Sequence, residues 1–305
     1  MEEPHVCVVG ASNIDLISYV PRLPRLGETL HGTAFQLGYG GKGANQAVMA
    51  AKLGARVAMV TKLGRDVFGD GTVANFREWG VDAEHVLFTD DAASGVAPIA
   101  VDPDGNNSII IVTGANDLLT EQEIERARGA IASAAVVVCQ LEIPVEVSLA
   151  ALRLAREEGV TTVFNPAPAR VELPAELYRL SDVLCPNEPE TELLVGRAIA
   201  GDEEGAAREL LDRGAGAVIL TLGARGCLVV DAEGARCVPV EPVEAVDTTG
   251  AGDAFVGSLA CFLAQGRSLV EAAERANRIA AVSVRGRGTQ TSFPAAADLP
   301  PELLA

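Results

Sequence analysis

Basic residues are scarce in this sequence of 305 residues, where 24 Lys and Arg stand against 42 Asp and Glu. The formal net charge of −18 leaves no basic footprint of the kind that nucleic-acid-binding proteins carry. No apolar run approaches the roughly 20 residues that cross a bilayer, and the acidic start "MEEPHVCVVG" does not have the pattern of a signal peptide. The sequence therefore predicts a soluble, cytoplasmic protein that binds neither nucleic acid nor a membrane.

Disulfide and metal-binding cysteine patterns are also missing. The six cysteines form no C-x-x-C pair, and most of them stand in apolar runs such as "VVVCQ" and "DVLCP". Such cysteines are typical of small buried thiols in a reducing compartment. The chain contains no internal repeat, low-complexity tract or Gly/Ser linker.

What the chain does contain is an alternation of short apolar runs and longer helical patterns. The runs predict strands at residues 5–10, 56–64, 134–142, 161–168, 181–187 and 217–223. Their nearly continuous apolar character fits strands buried on both faces. Helical patterns such as 120–134, which opens with the capping box Thr120 and Glu123, lie between them. This alternation predicts an α/β fold, doubly wound, with a mostly parallel central sheet and helices on both faces.

Two segments interrupt the alternation. Residues 94–116 read as two strands around a turn at 102–107, and residues 15–40 are extended without helix signals. We expect one α/β domain over residues 1–305, in which these insertions pair as a small β lid. Pro98 lies in a lid strand, where it removes a ladder donor and favours an edge position.

The first Gly-rich stretch is "GYGGKGANQA". Residues Gly38–Gly43 match the dinucleotide fingerprint G-x-G-x-x-G, so an NAD(P)-dependent oxidoreductase is one hypothesis. The match lies far from the first strand–helix turn and has no acid about 20 residues on, which counts against it. The other hypothesis is close approach to a polyhydroxylated ligand, with Lys42 and Asn45 as hydrogen-bond donors.

Polar residues follow several predicted strands. Asn13 and Asp15 are two apart on an extended chain, so they face one side and could bind two sugar hydroxyls. Glu142 follows another apolar strand. Asn187 and Glu190 lie three apart at a helix start, where they suit indirect contact with hydrated Mg²⁺ and phosphate. Simple N-capping by Asn187 is the alternative.

The second Gly-rich stretch is "VDTTGAGDAFVG", residues 246–257. It lacks the lysine of a P-loop. The amides of residues 250–252 precede a predicted helix at 253–265 and would point at an anion. A carboxylate at Asp253 would repel phosphate, so this residue suits a general base for an attacking hydroxyl. An ordinary acidic residue in a first helical turn is the alternative.

Two long stretches together carry a family resemblance. "GGKGANQAVMAAKLGARVAMVTKLG" (40–64) and "DTTGAGDAFVG" (247–257) resemble the two signature motifs of the ribokinase-like (PfkB) carbohydrate kinases. The segments "QLE", "FNPAPA", "PNE", "TLGARG" and "GTQTS" extend the resemblance over nearly the whole chain.

This resemblance implies ATP-dependent phosphorylation of D-ribose at O5, giving D-ribose 5-phosphate and ADP. It also implies Mg²⁺, K⁺ and a homodimer formed through the lid. A kinase for 2-deoxyribose, another sugar or a nucleoside is the nearest alternative. A non-catalytic sugar-binding protein is less consistent with Asp253 and its anion hole.

The resemblance also assigns roles by position. Asp253 is implied as the base, and the anion hole is implied for Gly250, Ala251 and Gly252. The implied sugar pocket comprises Asn13, Asp15, Gly41, Lys42, Gly43, Asn45, Ala97, Ile111, Glu142 and Asp253. The implied nucleotide site comprises Asn187, Glu190, Thr221, Leu222, Gly223, Ala224, Arg225, Gly226, Gly252 and Asn277. The implied K⁺ site comprises Asp247, Thr249, Ser283, Gly286, Gly288 and Ser292.

Overall fold

Strands and helices alternate through residues 5–304, the part of the chain that this computed structural model describes. The strands are β1 His5–Val9, β2 Asn13–Tyr19, β3 Ala34–Gly40, β4 Arg56–Gly64, β5 Val81–Asp82, β6 Val86–Thr89, β7 Gly95–Val101, β8 Asn107–Ile109, β9 Val136–Cys139, β10 Thr161–Phe164, β11 Val183–Leu184, β12 Ala217–Thr221, β13 Cys227–Asp231 and β14 Gly234–Val238. The α-helices are α1 Lys42–Lys52, α2 Val67–Glu78, α3 Glu121–Arg126, α4 Arg128–Ser133, α5 Val145–Glu157, α6 Ala175–Arg179, α7 Glu188–Val195, α8 Glu203–Asp212, α9 Ala251–Ala264, α10 Leu269–Ser283 and α11 Pro301–Leu304.

The large sheet is mostly parallel, as predicted. Its order is β14-β13-β12-β11-β10-β9-β1-β4-β5, and β6 pairs with the far end of β4. Every pair from β12 to β5 is parallel, whereas β12, β13 and β14 pair antiparallel at one edge. This antiparallel hairpin was not predicted from the sequence.

Helices cover both faces of the large sheet because its strands are apolar on both sides. In β1, Val6 and Val8 join a cluster that contains residues of α1, α9 and α10. Cys7 and Val9 face the opposite cluster, with residues of α3, α4, α5 and α8. The alternation along one strand thus produces two cores, which confirms the predicted doubly wound architecture.

Several predicted strands are shorter than expected at their carboxyl ends. The run 134–142 forms a strand only over Val136–Cys139, and 181–187 only over Val183–Leu184. At these ends the chain leaves the sheet, so the polar residues that follow lie in loops at the sheet edge. The predicted helix at 120–134 is also divided, because Ala127 has φ −87° and ψ 7° between α3 and α4. The capping box of Thr120 and Glu123 is confirmed.

A separate four-stranded sheet forms the lid, with the order β3-β2-β7-β8. The two insertions therefore pair as predicted, β2 antiparallel to β3 and parallel to β7. We define the inner lid face as the one that carries Asp15 and its cross-strand neighbours Gly38 and Ala97. The outer lid face is the opposite face of the same sheet. The exposed apolar side chains of the outer lid face are Phe35, Leu37, Ile110 and Val112.

The predicted edge position of Pro98 is wrong, because β7 lies between β2 and β8. Its carbonyl accepts a hydrogen bond from the Ile110 amide at 3.0 Å, but Pro98 has no N–H to return. The regular ladder accordingly stops at Ile109 and resumes only as a single bridge between Val96 and Val112. The interior strand tolerates proline by interrupting its pairing at one residue. Among the described residues, no helix is long and apolar enough to cross a membrane.

Candidate active site

Polar side chains converge at the carboxyl ends of the central parallel strands. Gln140 and Glu142 follow β9, Asn165 follows β10, and Asn187 follows β11. The N-termini of α1 and α9 reach the same edge, because Asn45 of α1 contacts Asp253 of α9. A crevice outside the carboxyl ends of parallel strands is the usual ligand site of such folds.

Asp253 lies in the first turn of α9 and is 6% exposed. Its Oδ2 accepts a hydrogen bond from Nδ2 of Asn45 at 2.9 Å, and its Oδ1 accepts one from Nε2 of Gln46 at 3.0 Å. These bonds hold a charged carboxylate in a buried position with a defined orientation.

The head of α9 leaves backbone donors available. Gly250 caps the helix in the left-handed conformation, with φ 78°, and no side chain caps it. The Ala251 amide already donates to the Thr248 carbonyl. The amides of Gly250, Gly252 and Asp253 meet no acceptor in the described part of the chain. Of the three residues predicted for an anion hole, Gly250 and Gly252 thus have an available N–H, whereas that of Ala251 is already used.

Three carboxylates, those of Glu142, Glu190 and Asp253, surround Lys42 in this crevice. Glu142 accepts a hydrogen bond from the Lys42 amide at 2.8 Å. The charge of Asp253, more than any other neighbour, raises the pKa of Lys42. Burial raises the pKa values of Glu142 and Glu190. A cavity of about 60 Å³ lies between these groups, lined in part by Lys42, Glu190, Gly252 and Asp253.

Asp15 has no hydrogen-bond donor among the described residues. Burial, followed by the charges of Glu142 and Asp253, raises the pKa of this carboxyl from 3.8 to about 6. A half-buried acceptor without a donor suits a ligand that brings hydroxyl groups. Ala97 lies beside Asp15 in the lid and is 6% exposed, whereas Ile111 is 52% exposed on the lid.

Asn13 is oriented by a residue that the sequence analysis missed. Asn116 is 1% exposed and donates from Nδ2 to Oδ1 of Asn13 at 2.9 Å, while its own Oδ1 accepts from the Ser12 amide. Gly41 closes the same corner: it has φ 85°, and a Cβ there would lie 2.7 Å from the Asn13 nitrogen. The signal for Asn116, one asparagine at the end of the lid insertion, is weak.

The capping interpretation of Asn187 is confirmed. Its Oδ1 accepts from the Glu190 amide at 2.8 Å, and Glu190 accepts from the Asn187 amide at 2.9 Å. Both side chains still border the cavity next to Asp253 and Thr221. Capping and contact with a phosphate-bound metal are therefore compatible roles.

The other predicted nucleotide residues lie around β12, β13 and β14. Leu222 donates to the Gly226 carbonyl at 2.8 Å around a 3₁₀ turn formed by residues 223–225. The guanidinium of Arg225 is paired with Glu188 and Glu203. Asn277 is 6% exposed, and its Nδ2 donates to the Val238 carbonyl at 3.0 Å. Its amide therefore already binds β14.

The six predicted K⁺ ligands come from two segments, 246–250 and 283–292, that lie side by side. Both oxygens of Asp247 accept hydrogen bonds at 2.9 Å, from the amides of Thr249 and Gly288. Burial raises the pKa of Asp247, but these hydrogen bonds outweigh it, so its pKa lies below its ordinary value. A Cβ on Gly286 would lie 2.9 Å from Cβ of Ser292, and Ser283 accepts from the Gly286 amide.

The fingerprint match at Gly38–Gly43 lies where lid strand β3 runs into α1. A dinucleotide site needs this motif in the turn after the first strand of the parallel sheet. That strand is β1, which is followed by β2 of the lid. The oxidoreductase hypothesis therefore has the wrong context.

Residues 3–296 match the family model described as pfkB family carbohydrate kinase. The chain belongs to the pfkB family of carbohydrate kinases. As a member it is a phosphotransferase, and the oxidoreductase hypothesis is wrong.

Relatives within the pfkB family are similar over nearly their full length. A ribokinase of Mus musculus is 48% identical over 305 residues, which cover 98% of this chain and 94% of that protein. A deoxyribokinase of Salmonella typhi is 41% identical, covering 95% of each. The solved structure of Arabidopsis thaliana ribokinase complexed with ribose and ATP has a TM-score of 0.90 at 30% identity and covers 99% of both chains.

Buried amides are the main feature of this pfkB site that sequence reasoning missed. Gln46 lies next to Asn45 in the first signature motif, and Gln290 lies in the segment "GTQTS". Both are at most 4% exposed, and both belong to the hydrogen-bonded surroundings of Asp253. Their position inside family-like segments was the available signal, but glutamine there has no distinctive spacing.

Replacing Asp15 with Asn should stabilise the protein at neutral pH. A carboxyl whose pKa rises on folding stabilises the native state below its unfolded pKa and loses that contribution as pH rises through the folded value. The rise from 3.8 to about 6 corresponds to about 3 kcal/mol above pH 6. Urea unfolding at pH 8 should therefore show a gain in the variant that vanishes near pH 4.

The matched control is Asp104→Asn, which makes the same change in the exposed lid turn. It should alter unfolding at neither pH. Equal stability of Asp15→Asn and the unmodified protein at pH 8 would contradict the account of Asp15.

Proposed function

We propose that this chain transfers the γ-phosphoryl group of ATP to O5 of D-ribose, giving D-ribose 5-phosphate and ADP. The observation that carries the proposal is the head of α9, where a buried carboxylate and unpaired amides stand within four residues. The relatives support the choice of substrates, since they include a mouse ribokinase and an Arabidopsis ribokinase complexed with ribose and ATP.

Asp253 is the general base in this proposal. Its carboxylate takes the proton of the O5 hydroxyl as that oxygen bonds to the γ-phosphorus, and the bond from phosphorus to the bridging oxygen of ADP breaks. Asn45 and Gln46 hold the two carboxylate oxygens and keep the group in place. The proton leaves to solvent after the sugar phosphate is released.

The amides at the head of α9 and the Lys42 ammonium stabilise the transferring phosphoryl group. Gly252 has no atom of its surroundings within 4 Å of a virtual Cβ, so a phosphate can approach its backbone. The helix dipole adds to this attraction. Fixed donors of this type act without reorganising during the reaction.

The sugar lies between the inner lid face and the crevice. Asp15 and Glu142 offer carboxylate acceptors close enough to Asp253 for the three charges to interact, and Asn45 contacts Asp253 directly. A small furanose with several hydroxyl groups matches these groups. A nucleoside would need further room for its base.

Mg²⁺ fits the chain's side chains only in an indirect role. No group of three or more His, Cys, Asp or Glu able to hold a metal occurs among the described residues. Mg²⁺ commonly keeps waters and binds phosphates with one or two carboxylates, and Glu190 beside the cavity can serve in that way. When bound it would neutralise phosphate charge.

K⁺ fits the paired segments 246–250 and 283–292. The carbonyls of Gly286 and Gly288 accept no hydrogen bond from the described residues, and the Asp247 carboxylate lies beside them. Oxygen ligands of this kind suit a hard monovalent cation. When bound it would order the loop that leads into Gly250.

A homodimer formed through the lids is part of the proposal. Phe35, Leu37, Ile110 and Val112 make the outer lid face apolar and between 44% and 64% exposed. Burying this face against a second copy would remove it from water. A monomeric mass by light scattering would contradict this arrangement. We also propose a cytoplasmic location, consistent with six free thiols.

A sugar panel tests the substrate. ADP release should be far faster with D-ribose than with fructose or adenosine, since the acceptors in the crevice match a small hydroxylated furanose. The second candidate is 2-deoxyribose, which the Salmonella typhi deoxyribokinase at 41% identity favours. A higher kcat/KM for 2-deoxyribose than for ribose would replace the first candidate with the second.

Replacing Asp253 with Asn should lower kcat roughly 10²- to 10⁴-fold, the usual contribution of a general base. ATP affinity, measured by calorimetry, should stay near normal because the helix head is unchanged. Asp70→Asn is the matched control, since Asp70 lies in the first turn of α2 and is exposed. An undiminished kcat in the Asp253 variant would disprove the base assignment.

Exchange of K⁺ for Na⁺ should reduce activity, because the proposed carbonyl and carboxylate ligands would have to move to contact the smaller ion. The Asp247→Asn variant should show a smaller difference between the two ions, since it weakens the charge at the site. Initial rates at equal ionic strength measure both effects. Equal rates in K⁺ and Na⁺ for the unmodified enzyme would remove the cation site from the proposal.

A further inference from the structure

Asp253 is the end point of a chain of buried amide side chains. Nδ2 of Asn75 donates to Oε1 of Gln290 at 2.8 Å, and Nε2 of Gln290 donates to Oδ1 of Asn45 at 3.0 Å. Nδ2 of Asn45 completes the chain at Oδ2 of Asp253, at 2.9 Å. The four side chains are 4–7% exposed, so water competes little for these bonds.

This series of hydrogen-bonded amides has a direction, and every donor points toward Asp253. If the Asn45 amide turned over, its Oδ1 would face the carboxylate and its Nδ2 would face the Nε2 donor of Gln290. Gln290 is fixed in the same way, because its Oε1 accepts from Asn75. The carboxylate of Asp253 accepts only and so favours the donor of Asn45, and the Gln290 donor enforces the same orientation from the other side of the amide.

The loop that carries Gln290 is tied to three parts of the fold. Nζ of Lys52, at the end of α1, donates to the Gln290 carbonyl at 2.7 Å and to the Phe293 carbonyl at 2.9 Å. Lys52 also lies 4.0 Å from the ring centre of Trp79, which follows α2. Oγ1 of Thr289 donates to the carbonyl of lid residue Tyr39 at 3.1 Å. The backbone at Gln290, from which its side chain extends, is therefore held in place.

The other carboxylate oxygen is held by a separate set of amides. Gln46 donates to Oδ1 of Asp253 and accepts from Nε2 of Gln140 at 2.6 Å. This second set does not include Gln290. Loss of Gln290 should consequently release one oxygen of Asp253 and leave the other bound.

We propose that Gln290 is a positioning residue for Asp253, which it orients through Asn45. The inference rests on the proposed role of Asp253 as the base. Without the Gln290 donor, Asn45 loses one of the two side-chain hydrogen bonds that hold its amide, and Oδ2 of the carboxylate loses its alignment with the hydroxyl proton. The phosphoryl transfer slows, while the nucleotide residues around β12 are untouched.

Gln290→Met tests the proposal, because methionine keeps a similar shape and removes both hydrogen-bonding groups. Loss of the buried bond to Asn45 predicts a fall in kcat of roughly 10- to 100-fold, with the KM for ATP unchanged. Gln265→Met is the matched control: Gln265 lies just past the far end of α9, and its Nε2 contacts Sγ of Cys261 at 3.6 Å. That variant should keep the kcat of the unmodified enzyme.

A double-mutant cycle separates positioning from packing. In an Asn45→Ala background, Gln290→Met should change kcat by less than about twofold, since its intermediary is gone. An equal loss in both backgrounds, accompanied by a lower melting temperature, would show a packing role and overturn the proposal. If Gln290→Met does not fold, Asn75→Ala is the second variant, since it removes the first donor in the series of amides. It should lower kcat by a smaller factor, and this effect should also disappear in the Asn45→Ala background.

The result for Asp253→Asn tells the two proposals apart. If that variant stays active, the base assignment fails and the role of Gln290 fails with it. If that variant is inactive but both Gln290→Met and Asn75→Ala keep full kcat, only the positioning role is overturned.

Discussion

The site depends on a charged carboxylate kept in a buried place. Asp253 is 6% exposed, yet it remains among Asp15, Glu142 and Glu190, all of the same charge. Burial of an anion is costly unless donors surround it. Asn45, Gln46 and the nearby Lys42 charge provide that compensation. Helix α1 carries all three of these residues, so the packing of α1 against the rest of the fold holds them next to Asp253.

The two cores make this arrangement rigid. α1 and α9 pack against each other in the cluster on one face of the large sheet, with Ala44 and Val48 on one helix and Leu259 on the other fully buried or nearly so. Asn45 and Asp253 lie at the heads of these helices, so their contact follows from the helix packing. The lid brings Asp15 to the same crevice from a separate sheet. A phosphoryl transferase gains from this, since positioning and charge neutralisation are most of what the reaction requires.

The departures from expectation share one cause, which is a backbone hydrogen-bond partner that the residue type alone does not reveal. Pro98 was expected at an edge because proline lacks a ladder donor, but β8 pairs with the other side of β7 and places it inside the lid. The hairpin of β13 and β14 was missed, and it is this hairpin that occupies the amide of Asn277. Ala251 was expected in the anion hole, but a local turn already uses its N–H.

The sequence by itself determined the alternation of strands and helices, the two insertions and the location of Asp253 at a helix head, because these follow from local periodicity and from motifs written in consecutive residues. It also placed Asn45 and Glu142 among the site residues by their position in family-like segments. Only the tertiary structure decided which oxygen of Asp253 meets which amide, and that Gln290, Asn75 and Asn116 take part in orienting the site. The reason is physical: glutamine and asparagine carry no periodic signal, and the direction of an amide is set by partners that lie up to 245 residues away in the chain.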